Sequence, residues 1–292
     1  MFKKTALVIV CIFYAVLLTL VLLVIRFPKD KFLLFATGKV EQELPGVSCT
    51  IADVSYIYPL SLGFDAIRLA APAELLNVNV DNVVITPDPK NPLKKFATSL
   101  ELYSGRIDAD VTFDRESGLV ELPKIVATEI DLGTIESLRQ RLERAITGVA
   151  SFSGQFIGRL GELSEGELSG SLGITQFQLP LRRPILQSES ILFDEVVADF
   201  SKKGSSVTIN KGSASGPAYE GEFTGQVQLV PQLQESRFEI KGDLVPQSAY
   251  MEQNRQVARA ASLLFKKYNT TKIPYSVSGT LKEPVFRFGE FQ

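Results

Sequence analysis

The first pattern in the chain is an uninterrupted apolar run. From Thr5 to Ile25 it reads TALVIVCIFYAVLLTLVLLVI, twenty-one residues without a charge. A helix of that length, rising about 1.5 Å per residue, crosses the roughly 30 Å hydrocarbon layer of a bilayer. Thr5, Leu7, Val10, Phe13, Leu17, Leu20, Leu23 and Ile25 are its expected anchor positions. The run is too long for the apolar region of a cleaved leader, and no small-x-small site follows it closely, so it reads as a signal anchor. Two lysines precede it and Arg26, Lys29 and Lys31 follow, together with Asp30, a balance that sets no orientation. Only four residues stand ahead of the span, which places the N-terminus in the cytoplasm and the remainder outside it.

Beyond the span the period changes. Residues 27–46 predict an amphipathic exit helix, Phe27 to Leu44, with Pro28 in its first turn. Phe32, Phe35 or Ala36, Val40 and Leu44 recur there at helical spacing, and Pro45-Gly46 stops it. Residues 47–132 predict a first β subdomain. Val78, Val80, Val83 and Ile85 lie in one segment, closed by the stiff loop Pro87 to Pro92. Ile107, Ala109, Val111 and Phe113 alternate with Asp108, Asp110 and Thr112, giving one buried and one wet face. A connecting helix, Gly133 to Thr147 within residues 133–148, carries Ile135, Leu138, Leu142 and Ile146 on one side and ends at Gly148. Residues 149–292 predict a second β subdomain containing a helix over 248–268. Ser248 is its expected N-cap, Val257, Ala261, Leu264 and Tyr268 form one stripe, and Lys266 and Lys267 lie in its last turn.

A motif of faces repeats through the strands. An apolar residue, a glycine two positions on and a second apolar residue recur from Tyr103-Gly105-Ile107 to Val277-Gly279-Leu281. In a strand all three point to the same side. Phe152, Phe156, Leu160, Leu168, Leu172, Tyr219, Phe223, Val227, Ile240, Leu244, Val277 and Leu281 therefore form a candidate apolar face for a partner or a lipid. Glycine in a strand lets the sheet bend or another group approach closely. The expected fold is mainly β: a single membrane helix, then a curved, largely antiparallel sheet of about a dozen short strands, with two short amphipathic helices. The pattern fits a closed sandwich core and also an open half-barrel with an apolar concave side.

Composition narrows the chemistry. The chain of 292 residues has no histidine, no tryptophan and two cysteines, Cys11 and Cys49. Histidine-based triads, proton shuttles and His-ligated zinc are excluded, and two cysteines make neither a disulfide framework nor a four-thiolate site. Cys49 is expected as a small buried apolar residue. With 31 basic and 33 acidic side chains the net charge is -2, which predicts no nucleic-acid partner. Asp108, Asp110 and Asp114 lack the glycine and distal glutamate of a calcium loop. In Gly212-Ser213-Ala214-Ser215-Gly216, Ala214 stands where a nucleophile would. Neither a Walker loop nor a dinucleotide fingerprint is present. Glu165/Glu167 and Glu220/Glu222 read as solvated, and Asn269-Thr270-Thr271 is a glycosylation sequon without further context. The expectation is a non-enzymatic protein without metal or cofactor.

Several blocks together resemble a known family. They are the anchor and exit helix, PGVSCTIADVSYIYPLSLGFDAIRLAAP from Pro45, the helix around Ile135–Ile146, SASGPAYEGEFTGQVQLVP from Ser213 and VSGTLKEPVFRF from Val277. In this order they resemble the type II secretion system protein N family (GspN). The last two are also similar to AsmA/TamB-like inner-membrane-anchored β proteins. The resemblance implies a single-pass protein of the bacterial inner membrane with its bulk in the periplasm, held to membrane lipids by the anchor. It implies contacts with other type II secretion components in protein transport. The AsmA-like similarity implies instead lipid handling, with the apolar face taking phospholipid acyl chains. Neither implies catalytic residues.

Overall fold

The computed structural model describes residue 14 and residues 28–43, 46–71, 76–142, 144–185, 188–230 and 232–289. The eight predicted anchor positions between Thr5 and Ile25 lie outside the described residues. Among the described residues no helix is long and apolar enough to cross a membrane.

Helix α1 (Lys29–Glu43) precedes fourteen strands. In order these are β1 (Ser48–Ile57), β2 (Ser61–Ala71), β3 (Leu76–Pro87), β4 (Lys95–Leu102), β5 (Gly105–Asp114), β6 (Leu119–Asp131) and β7 (Thr147–Arg159). They continue as β8 (Glu167–Ile185), β9 (Ser188–Lys203), β10 (Ser206–Ser215), β11 (Tyr219–Gln228), β12 (Arg237–Pro246), β13 (Ile273–Thr280) and β14 (Pro284–Phe288). A short α2 (Glu136–Leu142) lies between β6 and β7, and α3 (Ser248–Gln253) with α4 (Arg255–Tyr268) between β12 and β13.

Each strand pairs antiparallel with the next, so spatial order equals chain order across one fourteen-stranded sheet. Tight turns enforce this meander. Tyr103 and Ser104, both with positive φ (52° and 63°), close the β4–β5 hairpin in two residues, a geometry matched to the twist of paired strands. Strands β1 and β14 have one neighbour each, so the sheet is open. The sandwich expected from the alternating pattern is therefore corrected to a single layer. All fourteen strands belong to that one sheet, and β1 does not pair with β14, so among the described residues there is neither a second sheet nor a closed barrel. The sheet runs without a break through the 133–148 connection, because β6 pairs with β7 from Leu119↔Arg159 to Asp131↔Val149.

The helices cover parts of one face. Phe32, Leu33 and Ala36 of α1 pack on a core of Val54, Phe64, Val80, Val83 and Leu102, while Phe35 points away and is 63% exposed. Lys29 Nζ bonds Asp53 Oδ2 at 2.9 Å and the Cys49 N–H donates to Glu41 Oε1 at 3.2 Å, so α1 runs antiparallel to β1. The Cys49 thiol is buried, and that burial, with the nearby Glu41 charge, pushes its pKa up. At the other end of the sheet Val257 and Ala261 of α4 are buried, as is Ile273 of β13.

Three expected boundaries are corrected. The connecting helix does not reach Thr147. Asp131 Oδ1 accepts the Gly133 N–H and starts a short 3-10 turn, α2 ends at Leu142, and Gly148 already belongs to β7 with φ 142°. The helix over 248–268 is two helices, broken at Asn254 (φ -121°, ψ 81°), whose side-chain amide donates to the Tyr250 carbonyl. Ser248 is not an N-cap, because Gln247 holds that position without a side-chain cap bond. Asn269, with a left-handed φ of 49°, ends α4.

Candidate functional site

The registers align the repeated motif into lateral rows. One row crosses the whole sheet, one residue per strand: Val54, Phe64, Val83, Leu100, Ile107, Ala127, Phe152, Leu172, Ala198, Gly212, Phe223, Gly242, Tyr275 and Phe288. Every member is apolar, aromatic or glycine. The next row on the same side runs from Tyr56 and Leu62 through Ile85, Thr98, Ala109 and Ile125 to Gly154, Gly170, Phe200, Ile209, Gly225, Ile240, Val277 and Phe286, with Thr98 as its one aliphatic hydroxyl. Flanking these, Phe156, Leu168, Lys202, Val207, Val227 and Phe238 form one margin. Ala150, Ile174, Val196, Ala214, Gly221, Leu244 and Ile273 form the other.

The two central rows cross fourteen strands spaced by about 4.8 Å, roughly 60 Å in all, and over β7 to β12 the four rows, spaced by about 6.8 Å, make this face roughly 20 Å wide. Helix α1 covers its β1 end, and α4 covers the Ile273 margin. Between them most of the named side chains of β7 to β12 are half-buried, and on β7, β11 and β12 they alternate with exposed polar neighbours such as Ser153, Glu222 and Glu239. No second sheet lies over them among the described residues.

The glycines have a definite role here. The Phe152 ring lies down along the sheet over two of them: a Cβ at Gly154 would fall 2.5 Å from its Cζ, and one at Gly170 would fall 2.6 Å from its Cε2. Phe156 covers Gly158 and Gly166 in the same way. Rings laid flat on glycine close the gaps in the face and keep it smooth, and Phe152 also meets Phe200 at a centroid distance of 5.8 Å. Lys202 is the one cation in the Phe156 margin, and its Nζ donates to the carbonyls of Ser164 and Gly166 at 2.6 and 3.2 Å. Its charge is thereby drawn to the rim while its stem stays with the apolar row.

The reverse face is mainly polar, as in the register row Ser99, Asp108, Val126, Ser153, Ser171 and Asp199, where Val126 is the one apolar member. A hollow of about 360 Å³ there is lined by Asn82, Thr86, Ser99, Glu101, Arg106 and Asp108. Arg106 Nε bonds Asp108 Oδ2 at 2.9 Å and holds that carboxyl below the usual range. Asp114 accepts from Ser117 Oγ at 2.6 Å, which lowers its pKa too. Among the described residues no group of three acidic or thiol side chains is placed to hold a metal ion.

The twelve predicted face residues distribute as follows. Phe152, Leu172 and Phe223 sit in the first row, Ile240 and Val277 in the second, Phe156, Leu168 and Val227 on one margin and Leu244 on the other. Tyr219 begins β11 beyond that margin, buried, its ring edge-on to Tyr250 of α3 at 5.5 Å. Leu160 and Leu281 fall in turns, where their N–H groups donate to the Gly118 and Ser236 carbonyls. Sequence reasoning missed Phe200, Ile209, Tyr275, Phe286 and Phe288, which carry no local glycine motif and join the face through register alone. Comparison with protein-family models, with curated proteins and with solved structures gave no match.

Proposed function

We propose that this chain is a membrane-anchored β protein of the bacterial envelope that shelters the acyl chains of phospholipid on its open face. The observation that carries this reading is the row from Val54 to Phe288, apolar at every strand and uncovered between α1 and α4. Removing apolar surface from water is worth about 0.8 kcal/mol per methylene, so ten methylenes laid along the rows would gain about 8 kcal/mol before ordering costs. The uncharged run from Thr5 to Ile25 supports a single-pass anchor in the inner membrane, with the N-terminus cytoplasmic and the sheet periplasmic and curved around its apolar side. The similarity to AsmA/TamB-like proteins agrees with this activity, which needs no cofactor or catalytic group.

A second reading concerns the apparatus served. The ordered blocks that resemble the type II secretion protein N family support a structural component of that system. Edge strands β1 and β14, each with one neighbour, offer partner strands a pairing template.

Native mass spectrometry of the full-length protein extracted in detergent tests the first reading. Phospholipid adducts are expected, and Ile240→Glu, which sets a charge in the second row, is expected to remove them. Protein free of lipid adducts would overturn it. For the second reading, deletion should retain secreted hydrolases in the periplasm, and secretion components should co-purify. Full export with no such component would dismiss it.

A further inference from the structure

We propose that the turns β1–β2 and β3–β4 form a bilayer-docking edge that plants this end of the sheet in the membrane interface beside the anchor. The inference takes the anchor reading as its premise and goes beyond it, because an anchor alone leaves the sheet free to swing.

Both turns lie at the same end of the meander, since β1 and β3 run in the same direction. That end is also where α1 begins, because α1 runs antiparallel to β1 with Lys29 at the level of Asp53. From Ile25 to Lys29 the chain spans at most about 14 Å. Tyr58 stands five residues past Asp53, about 17 Å farther along the strand direction. The membrane end of the apolar run can therefore come within about 3 Å of the level of the β1–β2 turn, well inside the thickness of a bilayer interface.

The two turns carry side chains suited to that position. Tyr58 is 88% exposed, Leu60 50% and Leu93 65%, while Leu34 and Phe35 on the outer side of α1 are 75% and 63% exposed. These apolar groups are held out by ordered backbone. In the β3–β4 turn the Asp88 N–H bonds the Lys95 carbonyl, the Lys94 and Lys95 N–H groups bond the Asn91 carbonyl, and the Lys90 N–H bonds Asp88 Oδ1. The Tyr56 hydroxyl donates to the Pro59 carbonyl in the other turn. Lys90, Lys94 and Lys95 flank Leu93 against the single Asp88, so the turn is cationic. Tyrosine with leucine and lysine is the composition of a bilayer interface with anionic headgroups. The other end of the sheet faces away, with Leu263 of α4 exposed there.

The chain has no tryptophan, so single substitutions make clean reporters. Tyr14→Trp, Tyr58→Trp, Leu93→Trp and Leu263→Trp would each be made in the full-length protein and reconstituted into vesicles of phosphatidylethanolamine and phosphatidylglycerol, with and without dibrominated acyl chains. The expected result is blue-shifted emission that loses more than half its intensity to the brominated lipid at positions 14, 58 and 93, with no loss at 263. Quenching at 14 with 58 and 93 behaving like 263 would overturn the docking edge while sparing the anchor. An unquenched reporter at 14 would overturn the anchor and this inference with it.

Discussion

The ring of Phe223 on β11 lies across Gly212 on β10, so that a Cβ at position 212 would come within 2.3 Å of the ring's Cε2. On its other flank Phe223 pairs with Gly242 of β12. The ring thus leans onto β10 with Gly212 as its floor, while on the β12 side Gly242 leaves room for the Phe223 backbone and Cβ.

Gly212→Ala should therefore destabilise the fold by about 1–3 kcal/mol, the usual cost of overpacking. Gly212 is buried, and a methyl group there would force the half-buried Phe223 ring off its place over the glycine. Gly38 in α1 is the contrast, since a Cβ there meets nothing within 4 Å. Gly38→Ala should stabilise by about 1 kcal/mol through helix propensity alone. Urea unfolding of the two variants in detergent would compare them; equal midpoints would refute the packing role of Gly212.

The opposite signs at these two glycines mark what was legible in the sequence. Alternation and the apolar-x-Gly-x-apolar motif located the strands and the side of the sheet on which Phe152, Phe223 and Ile240 lie. They could not say whether that side met a second sheet, because half-buried and fully buried faces use the same period. Register decides it, and register depends on turns such as Tyr103-Ser104, whose positive φ values belong to residues that do not announce them. Phe200 and Tyr275 were invisible for the same reason, as their glycine partners Gly170 and Gly242 are on neighbouring strands. The break at Asn254 was hidden too, since the stripe of Val257, Ala261, Leu264 and Tyr268 starts only after it and no glycine or proline marks the stop.

The contact between Phe152 and Phe200, with centroids 5.8 Å apart and planes tilted by 31°, links β7 to β9 across β8. A double-mutant cycle with Phe152→Leu and Phe200→Leu should return a coupling of about 0.5–1.5 kcal/mol. Additive losses in urea unfolding would show that the rings act independently.

Ala261 has no exposed surface and Val257 is 3% exposed, which fixes the inner side of α4. Ala261→Glu would place an unpaired charge there, at a cost of several kcal/mol if the helix stayed docked. The helix should leave instead. Hydrogen exchange is expected to accelerate across α4 and at Ile273, with the α1 core around Val54 and Phe64 unchanged. Uniform acceleration of the whole chain would contradict a locally docked helix.

Asp53 links the start of α1 to β1, and its pKa is lowered by the Lys29 side chain first and by the Val54 N–H second. A depressed carboxylate favours the native contact above its unfolded pKa, near about 3.9, and that contribution fades as pH falls through the lower folded value. Exchange of the first-turn amides of α1 should therefore rise in acid, and salt should produce part of the same effect at neutral pH. In Asp53→Asn this acid-dependent rise should be absent; an unchanged profile would remove the pair from the account of how α1 is held.

Tyr275 gives the alkaline counterpart. Its ring stacks on Phe286 at 5.7 Å, and burial, followed by the charge of Asp243, pushes its hydroxyl up to about 12. The unfolded value is near about 10, so the native state keeps this proton where the unfolded chain has lost it. Its contribution to stability is complete below the unfolded pKa and is lost as pH rises through the folded one. Ultraviolet titration of the full-length protein should resolve a late tyrosinate near 12 that Tyr275→Phe removes. The same variant should unfold in urea with a weaker fall in stability across that alkaline window. A late phase surviving in Tyr275→Phe would assign it to another tyrosine and break the link between this ring's burial and the far end of the apolar row.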